Sequence, residues 1–150
     1  MDKNSAKHLP VKPQREIKFR GKRLIDGTWI YGGFMKTQRI NKYQVGGTSR
    51  YNTIIPETLG QYVGIHDKNG REIYEGDIIK SHYGSIYIVK YFADWGSFSL
   101  KLVFLNTEGK LSRATGRQHL YKNDCTRLEI LGNIWDNPDL LGGSDEECDN

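Results

Sequence analysis

The chain has 150 residues, a length that suits one domain with a modest core. Its formal net charge of +4 is no strong excess of either charge. Its two cysteines are too few for a disulfide framework, and no apolar run approaches the roughly 20 residues of a membrane helix. We therefore expect a soluble, cytoplasmic protein with reduced thiols and no membrane partner.

The glycine and aromatic content favours β-structure. Seventeen glycines fall mostly between β-prone runs, where they supply tight turns, and nine Tyr, five Phe and three Trp provide large side chains for a core. No stretch shows a convincing amphipathic helix over about 10 residues. These features together predict an all-β chain.

The two ends of the chain differ in composition from the middle. Residues 1–14 contain Pro10, Pro13 and several lysines but almost no large apolar side chain, which predicts a flexible basic leader. Residues 142–150 are rich in Asp and Glu, which predicts an acidic disordered tail. One β domain is expected between them, over residues 15–141.

The first predicted strand covers residues 16–20, in which apolar and charged residues alternate. Successive side chains of a strand point to opposite faces. Ile17 and Phe19 are therefore expected to face the core. Lys18 and Arg20 are expected to face water.

The central stretch, residues 58–80, reads as two hairpin connections that join three short strands. Alternating or continuous apolar runs predict three further strands, at residues 85–92, 98–105 and 128–135. Pro56 and Pro138 each suit the first position of a short helical turn. Residues 37–52 and 111–124 are polar and show no clear period.

Many short strands separated by turn signals are typical of a small barrel or sandwich. We predict an all-β fold, a closed or partly open, barrel-like antiparallel domain with one or two short helical turns. Closure would remove the edge strands that otherwise expose unpaired backbone groups.

Three segments of the chain together resemble the YopX protein family of bacteriophages and prophages. They are residues 15–20 (REIKFR), residues 60–80 (GQYVGIHDKNGREIYEGDIIK) and residues 128–141 (LEILGNIWDNPDLL). The resemblance implies a mostly β protein of phage origin over residues 15–141, expressed inside a bacterial cell. It implies no activity, because the family offers none that could be carried over.

Four carboxylates lie close together in the sequence, at Asp67, Glu72, Glu75 and Asp77. Such a cluster could bind a divalent cation or act in general acid–base catalysis. Asp67 precedes a turn and Asp77 follows Gly76, however, and carboxylates at turns commonly accept backbone N–H bonds. We interpret the cluster as turn chemistry.

Neither the histidines nor the hydroxyl residues form a catalytic or metal-binding pattern. His66, His82 and His119 lack the local spacing of metal ligands, and no Gly-x-Ser-x-Gly occurs. The sequence therefore predicts a protein that is not an enzyme and has no cofactor or metal site.

Nucleic-acid binding is the sharper of two functional hypotheses. Small barrels bind nucleic acid by combining a basic groove with aromatic stacking platforms. In the first third of the chain, basic residues are interleaved with Trp29, Tyr31, Phe34 and Tyr43. The candidate binding residues are Lys18, Arg20, Arg23, Lys36, Arg39 and Lys42.

The preferred hypothesis is a non-enzymatic phage or prophage accessory protein that acts as a protein-interaction or self-assembling module. Exposed aromatic side chains on β surfaces commonly form interfaces. The expected partner is a second copy of the chain or a phage or host protein.

Overall fold

The computed structural model describes residues 15–37, 42–104 and 116–141, so the predicted leader and tail lie outside the described residues. Eleven short strands occur in these ranges: β1 (Phe19–Lys22), β2 (Trp29–Gly32), β3 (Phe34–Thr37), β4 (Lys42–Val45), β5 (Gly60–His66), β6 (Glu72–Tyr74), β7 (Asp77–Ser81), β8 (Ile86–Phe92), β9 (Ser97–Phe104), β10 (Arg117–His119) and β11 (Leu128–Asn133). Short 3-10 helices cover Arg50–Asn52, Pro56–Thr58, Lys122–Arg127 and Pro138–Leu141. The all-β prediction is confirmed, and so are the helical turns at Pro56 and Pro138.

The strands form three antiparallel sheets that do not close into a barrel. One sheet has the order β2-β1-β5-β6, a second has the order β10-β9-β8-β7-β11, and β3 and β4 form a separate hairpin. Of the closed and partly open forms that the sequence allowed, the closed barrel is therefore wrong. The chain changes sheets at the Glu75–Gly76 turn, because β6 pairs with β5 whereas β7 pairs with β8 and β11.

The main core lies on one face of the five-stranded sheet, which we call the inner face. Register places Ile79 of β7, Tyr87 of β8 and Leu102 of β9 side by side on this face. Val63 and Ile65 of β5 pack against the same cluster. The fully buried members of this core are Ile73, Ile79, Tyr87, Val89, Leu100 and Leu128.

The predicted orientation of the first strand is wrong. Ile17 precedes β1 and is 61% exposed, whereas Arg20 is only 6% exposed. The guanidinium of Arg20 donates to Asp77 Oδ1 at 2.7 Å and to the Glu75 carbonyl at 3.2 Å. Alternation failed here because the charge of Arg20 is neutralised by a carboxylate 57 positions away in the chain.

None of the helical segments in the described ranges has the length and apolar character needed to cross a membrane.

Candidate functional site

The predicted turn chemistry of Asp67 is confirmed by its hydrogen bonds. Asp67 Oδ1 accepts the backbone N–H groups of Asn69 and Arg71, both at 2.9 Å, and its Oδ2 accepts that of Ile130 at 3.0 Å. Burial alone would raise the pKa of Asp67, but these backbone bonds hold it below the ordinary value. This carboxylate closes the β5–β6 turn and ties it to β11.

The other three carboxylates of the cluster also have separate partners. Asp77 Oδ2 accepts the Tyr74 N–H at 2.8 Å, beside its ion pair with Arg20. Glu72 pairs with Lys18 at 2.5 Å, and Glu75 accepts the Gln61 N–H at 3.0 Å. Over the described ranges, no group of three or more His, Cys, Asp or Glu side chains could hold a metal ion.

The three histidines lie beside different aromatic rings. His66 contacts Tyr62, His82 contacts Tyr83, and His119 stacks on Trp95. The structure does not bring them together.

Three of the predicted nucleic-acid-binding residues are already paired with carboxylates. Lys18 contacts Glu16 at 3.2 Å as well as Glu72, and the hydrogen bond that Lys18 donates to Glu72 is the main reason why the pKa of Lys18 is raised. Arg20 is buried against Asp77, and Arg23 lies 3.6 Å from Asp26. A cation paired in this way contributes little to the free energy of binding a phosphate, because its charge is already neutralised.

Two of the remaining predicted cations, Lys36 and Lys42, belong to the β3–β4 hairpin. Lys36 and Lys42 are exposed, and the ammonium of Lys36 lies 5.3 Å from the centre of the Tyr43 ring. Arg39 lies outside the described residues. The five described candidates therefore divide between three cations that carboxylates neutralise and two on a separate hairpin.

The sequence analysis missed a second group of basic and aromatic side chains, on the outer face of the five-stranded sheet. Strand register places Lys90 and His119 on either side of Ser99, and it places Lys101 directly opposite Arg117. Because side chains two positions apart share a face, all of these lie on one surface. The outer aromatic–basic surface consists of Lys90, Phe92, Trp95, Lys101, Arg117 and His119.

Aromatic rings form the centre of this surface. Trp95, in the turn between β8 and β9, stacks on His119 with ring centroids 4.1 Å apart and planes inclined by 25°. It also contacts Phe92, with centroids 5.4 Å apart. Trp95 remains 37% exposed despite these contacts. About a third of the Trp95 surface is therefore open to solvent.

Cations border the aromatic stack. The Arg117 guanidinium lies 4.8 Å from the Phe92 ring centre and 5.4 Å from that of Trp95, and it forms an ion pair with Asp94 at 2.6 Å. Lys90 and Lys101 are exposed and form no ion pair with any described carboxylate. Two lysines without an ion-pair partner in the described ranges thus lie beside an exposed stack of rings.

On the inner face of the five-stranded sheet, the β8–β9 turn borders a groove that we call the inner groove. It has a volume of about 710 Å³ and lies between β5 and the ends of β8 and β9. Val63 and Ile65 form one wall, and Tyr91, Phe98 and Leu120 form the other. Arg15 and Glu75 supply charged groups to its lining.

The family model described as YopX protein matches residues 18–142. This chain belongs to the YopX protein family. The resemblance drawn from the three sequence segments is confirmed. The crystal structure of protein EF1440 from Enterococcus faecalis is similar over 85% of this chain and 99% of that chain, with 18% sequence identity and a TM-score of 0.47. A comparison with curated proteins found no match.

The segments that carry the YopX resemblance hold the sheets together. Residues 60–80 contain Asp67 and Asp77, and residues 128–141 contain Asp136. The outer aromatic–basic surface comes from β8, β9, β10 and the β8–β9 turn, none of which belongs to those segments. The YopX motifs therefore belong to the scaffold, and the outer aromatic–basic surface lies outside them.

Asp136 shows how a YopX motif links distant parts of the chain. Its carboxylate accepts hydrogen bonds from Lys22 Nζ, from Trp29 Nε1 at 2.7 Å and from Asn133 Nδ2 at 3.0 Å. Partial burial alone would raise the pKa of Asp136, but these three donors lower it to about 2. The ionised carboxylate therefore stabilises the fold above its ordinary pKa of 3.8.

We expect Asp136→Asn to lower the free energy of unfolding by about 1 kcal/mol at pH 7, a figure reduced for partial solvent exposure. Since the pKa of Asp136 is depressed in the native state, the difference in free energy of unfolding between wild type and variant should be lost as the pH falls from about 4 towards 2. Urea unfolding at pH 7, 5 and 3 measures the difference. Asp139→Asn, at an exposed carboxylate nearby, is the control. A difference that persists undiminished at pH 3 would contradict this account.

Proposed function

We propose that this YopX family protein is a non-enzymatic binding protein that contacts single-stranded nucleic acid through its outer aromatic–basic surface. The observation that carries the proposal is the exposed stack of Trp95 and His119 beside two lysines that no described carboxylate neutralises. The site of contact is thus different from the six residues that the sequence suggested.

Stacking favours a single strand over a duplex. Bases of a single strand expose their ring faces, and each base stacked on an aromatic side chain contributes about 1–3 kcal/mol. Trp95 contacts both Phe92 and His119, so its position is fixed before a ligand arrives. A preorganised ring loses little conformational entropy on binding.

Electrostatics favours the same ligand. Lys90, Lys101 and Arg117 lie on one face, and the carboxylate of Asp94 is engaged there by Arg117. Lys18, Arg20 and Arg23 are instead matched by carboxylates. A polyanion gains most from cations that are unpaired in the free protein, because each phosphate contact releases a condensed counterion.

The salt dependence of binding to a fluorescent oligo(dT) tests the proposal. Each phosphate contact to a single strand contributes about −0.7 to the slope of log affinity against log salt. We expect the double substitution Lys90→Ala and Lys101→Ala to make this slope shallower by about 1.4. The matched control removes Lys36 and Lys42, which are also exposed, and should leave the slope unchanged.

Two results would overturn the proposal. One is an unchanged slope in the Lys90 and Lys101 variant together with a shallower slope in the Lys36 and Lys42 variant, which would move the contact to the β3–β4 hairpin. The other is no binding to oligo(dT) at low salt, combined with self-association that Trp95→Ala abolishes. That outcome would assign the surface to a second copy of the chain, as the protein-interaction hypothesis expects.

A further inference from the structure

The inner groove carries chemistry that the outer surface does not use. Its walls are apolar and aromatic, formed by Val63 and Ile65 on one side and by Tyr91 and Phe98 on the other. A volume of about 710 Å³ is within the usual range for small-ligand sites. Such walls suit a flat ring, with polar groups of the lining fixing its orientation.

Glu75 is the group that can read one edge of such a ring. Its Oε1 accepts the Gln61 N–H at 3.0 Å, and its Oε2 receives no hydrogen bond from any described residue. Burial raises the pKa of this carboxyl, and the Gln61 bond opposes the rise. A half-buried carboxylate whose second oxygen has no partner among the described residues gains from a ligand that brings N–H donors.

The groove and the outer surface share one hairpin tip. Tyr91, Ser97 and Phe98 line the groove, while Phe92 and Trp95, next to them in the chain, belong to the outer aromatic–basic surface. A strand that stacks on Trp95 needs only to pass around the β8–β9 turn to bring one unstacked base to the groove. Single-stranded bases are commonly recognised in this way, splayed out and hydrogen-bonded along their Watson–Crick edges.

We propose that the inner groove binds one unstacked base and selects guanine through Glu75, an inference that rests on the proposed function and extends it. Guanine presents two adjacent donors, N1–H and the N2 amino group, which a carboxylate can accept together. Uracil presents one N–H between two carbonyl oxygens, which would face the carboxylate. Arg15, also in the lining, is available for the phosphate of the same nucleotide.

Titration with free guanosine monophosphate tests the groove without requiring a bound strand. The methyl signals of Val63, Ile65 and Leu120 in a ¹³C-labelled sample report on the walls. We expect them to shift with guanosine monophosphate. Inosine monophosphate has the same ring system without the amino group and should bind about tenfold more weakly, the loss of one partner of a bidentate pair. Uridine monophosphate should bind more weakly still.

Glu75→Gln is the decisive variant. The substituted amide would keep an acceptor for the Gln61 N–H and turn an N–H donor towards the ligand, so the preference for guanosine over inosine monophosphate should disappear. The variant should remain folded, because it removes a carboxyl that burial disfavours in its charged form. Glu57→Gln, at an exposed glutamate outside the groove, is the matched control and should keep the preference.

The two proposals fail in different ways. Equal wall shifts with all three nucleotides, or no effect of Glu75→Gln on discrimination, overturn the guanine site and leave oligo(dT) binding at the outer surface intact. Normal guanine discrimination without any binding of oligo(dT) overturns the outer surface and leaves a nucleotide site in the groove. Absence of any wall shift overturns the groove whatever the strand-binding result.

Discussion

We expect Asp77→Ala to lower the free energy of unfolding by about 3–5 kcal/mol, because it leaves the Arg20 charge buried without a counter-ion. Both side chains are almost fully buried, and their ion pair is 2.7 Å long. Without Asp77, the Glu75 carbonyl at 3.2 Å is the one acceptor left to Arg20 among the described residues. Its Nε has no hydrogen-bond partner there, and its guanidinium lies against the rings of Trp29 and Tyr74, at 4.7 Å and 4.9 Å.

Urea denaturation of the variant and the wild type measures the effect. The control is Asp26→Ala, which removes a carboxylate from the more exposed pair with Arg23 and should destabilise the protein much less. Replacing Arg20 and Asp77 together with apolar residues should cost less than Asp77→Ala alone, because no unpaired charge remains. If Asp77→Ala is no more destabilising than Asp26→Ala, the pair does not join the two sheets as described.

The second large effect is on binding. We expect Trp95→Ala to weaken oligo(dT) binding by about tenfold or more, since each stacked base contributes about 1–3 kcal/mol. The ring lies in a turn and is 37% exposed, so its removal should change the thermal unfolding midpoint little. Fluorescence anisotropy at constant salt measures the affinity.

Two further variants separate stacking from general loss of aromatic surface. Trp95→Phe keeps a ring beside His119 and should recover most of the affinity. Tyr51→Ala removes a ring that is 49% exposed beside Arg50 on another part of the molecule, and it should leave oligo(dT) affinity unchanged. An equal loss in the Trp95 and Tyr51 variants would contradict a localised stacking site.

The parts of the fold that depend on local chemistry could be predicted from the sequence. Alternation identifies the strands around Tyr87 and Leu100, whose side chains do enter the core. Turn chemistry gives the local role of Asp67, because two of its three backbone donors lie only two and four residues away. In each case the structure follows from contacts between residues close in the chain or from the two-residue alternation of side chains along a strand.

The parts that depend on distant pairing could not be predicted. Alternation places Arg20 at the surface because nothing near it in the sequence signals Asp77. The outer surface could not be predicted from the sequence, because His119 lies on β10. This strand has only three residues and belongs to a polar stretch without hydrophobic periodicity. The pairing of β10 with β9 places His119 opposite Ser99, where its ring stacks on Trp95. Polar strands that gain their order from a neighbour leave no hydrophobic pattern to read.

The most direct test of the central claim is chemical-shift mapping with unlabelled oligo(dT) added to ¹⁵N-labelled protein at low salt. Binding at the outer aromatic–basic surface predicts the largest changes at the amides of Lys90, Lys101 and His119 and at the Trp95 indole N–H. The indole signals of Trp29 and Trp135 should move least, because those rings pack around Arg20. Changes centred on the β3–β4 hairpin, or no saturable change at all, would contradict the account.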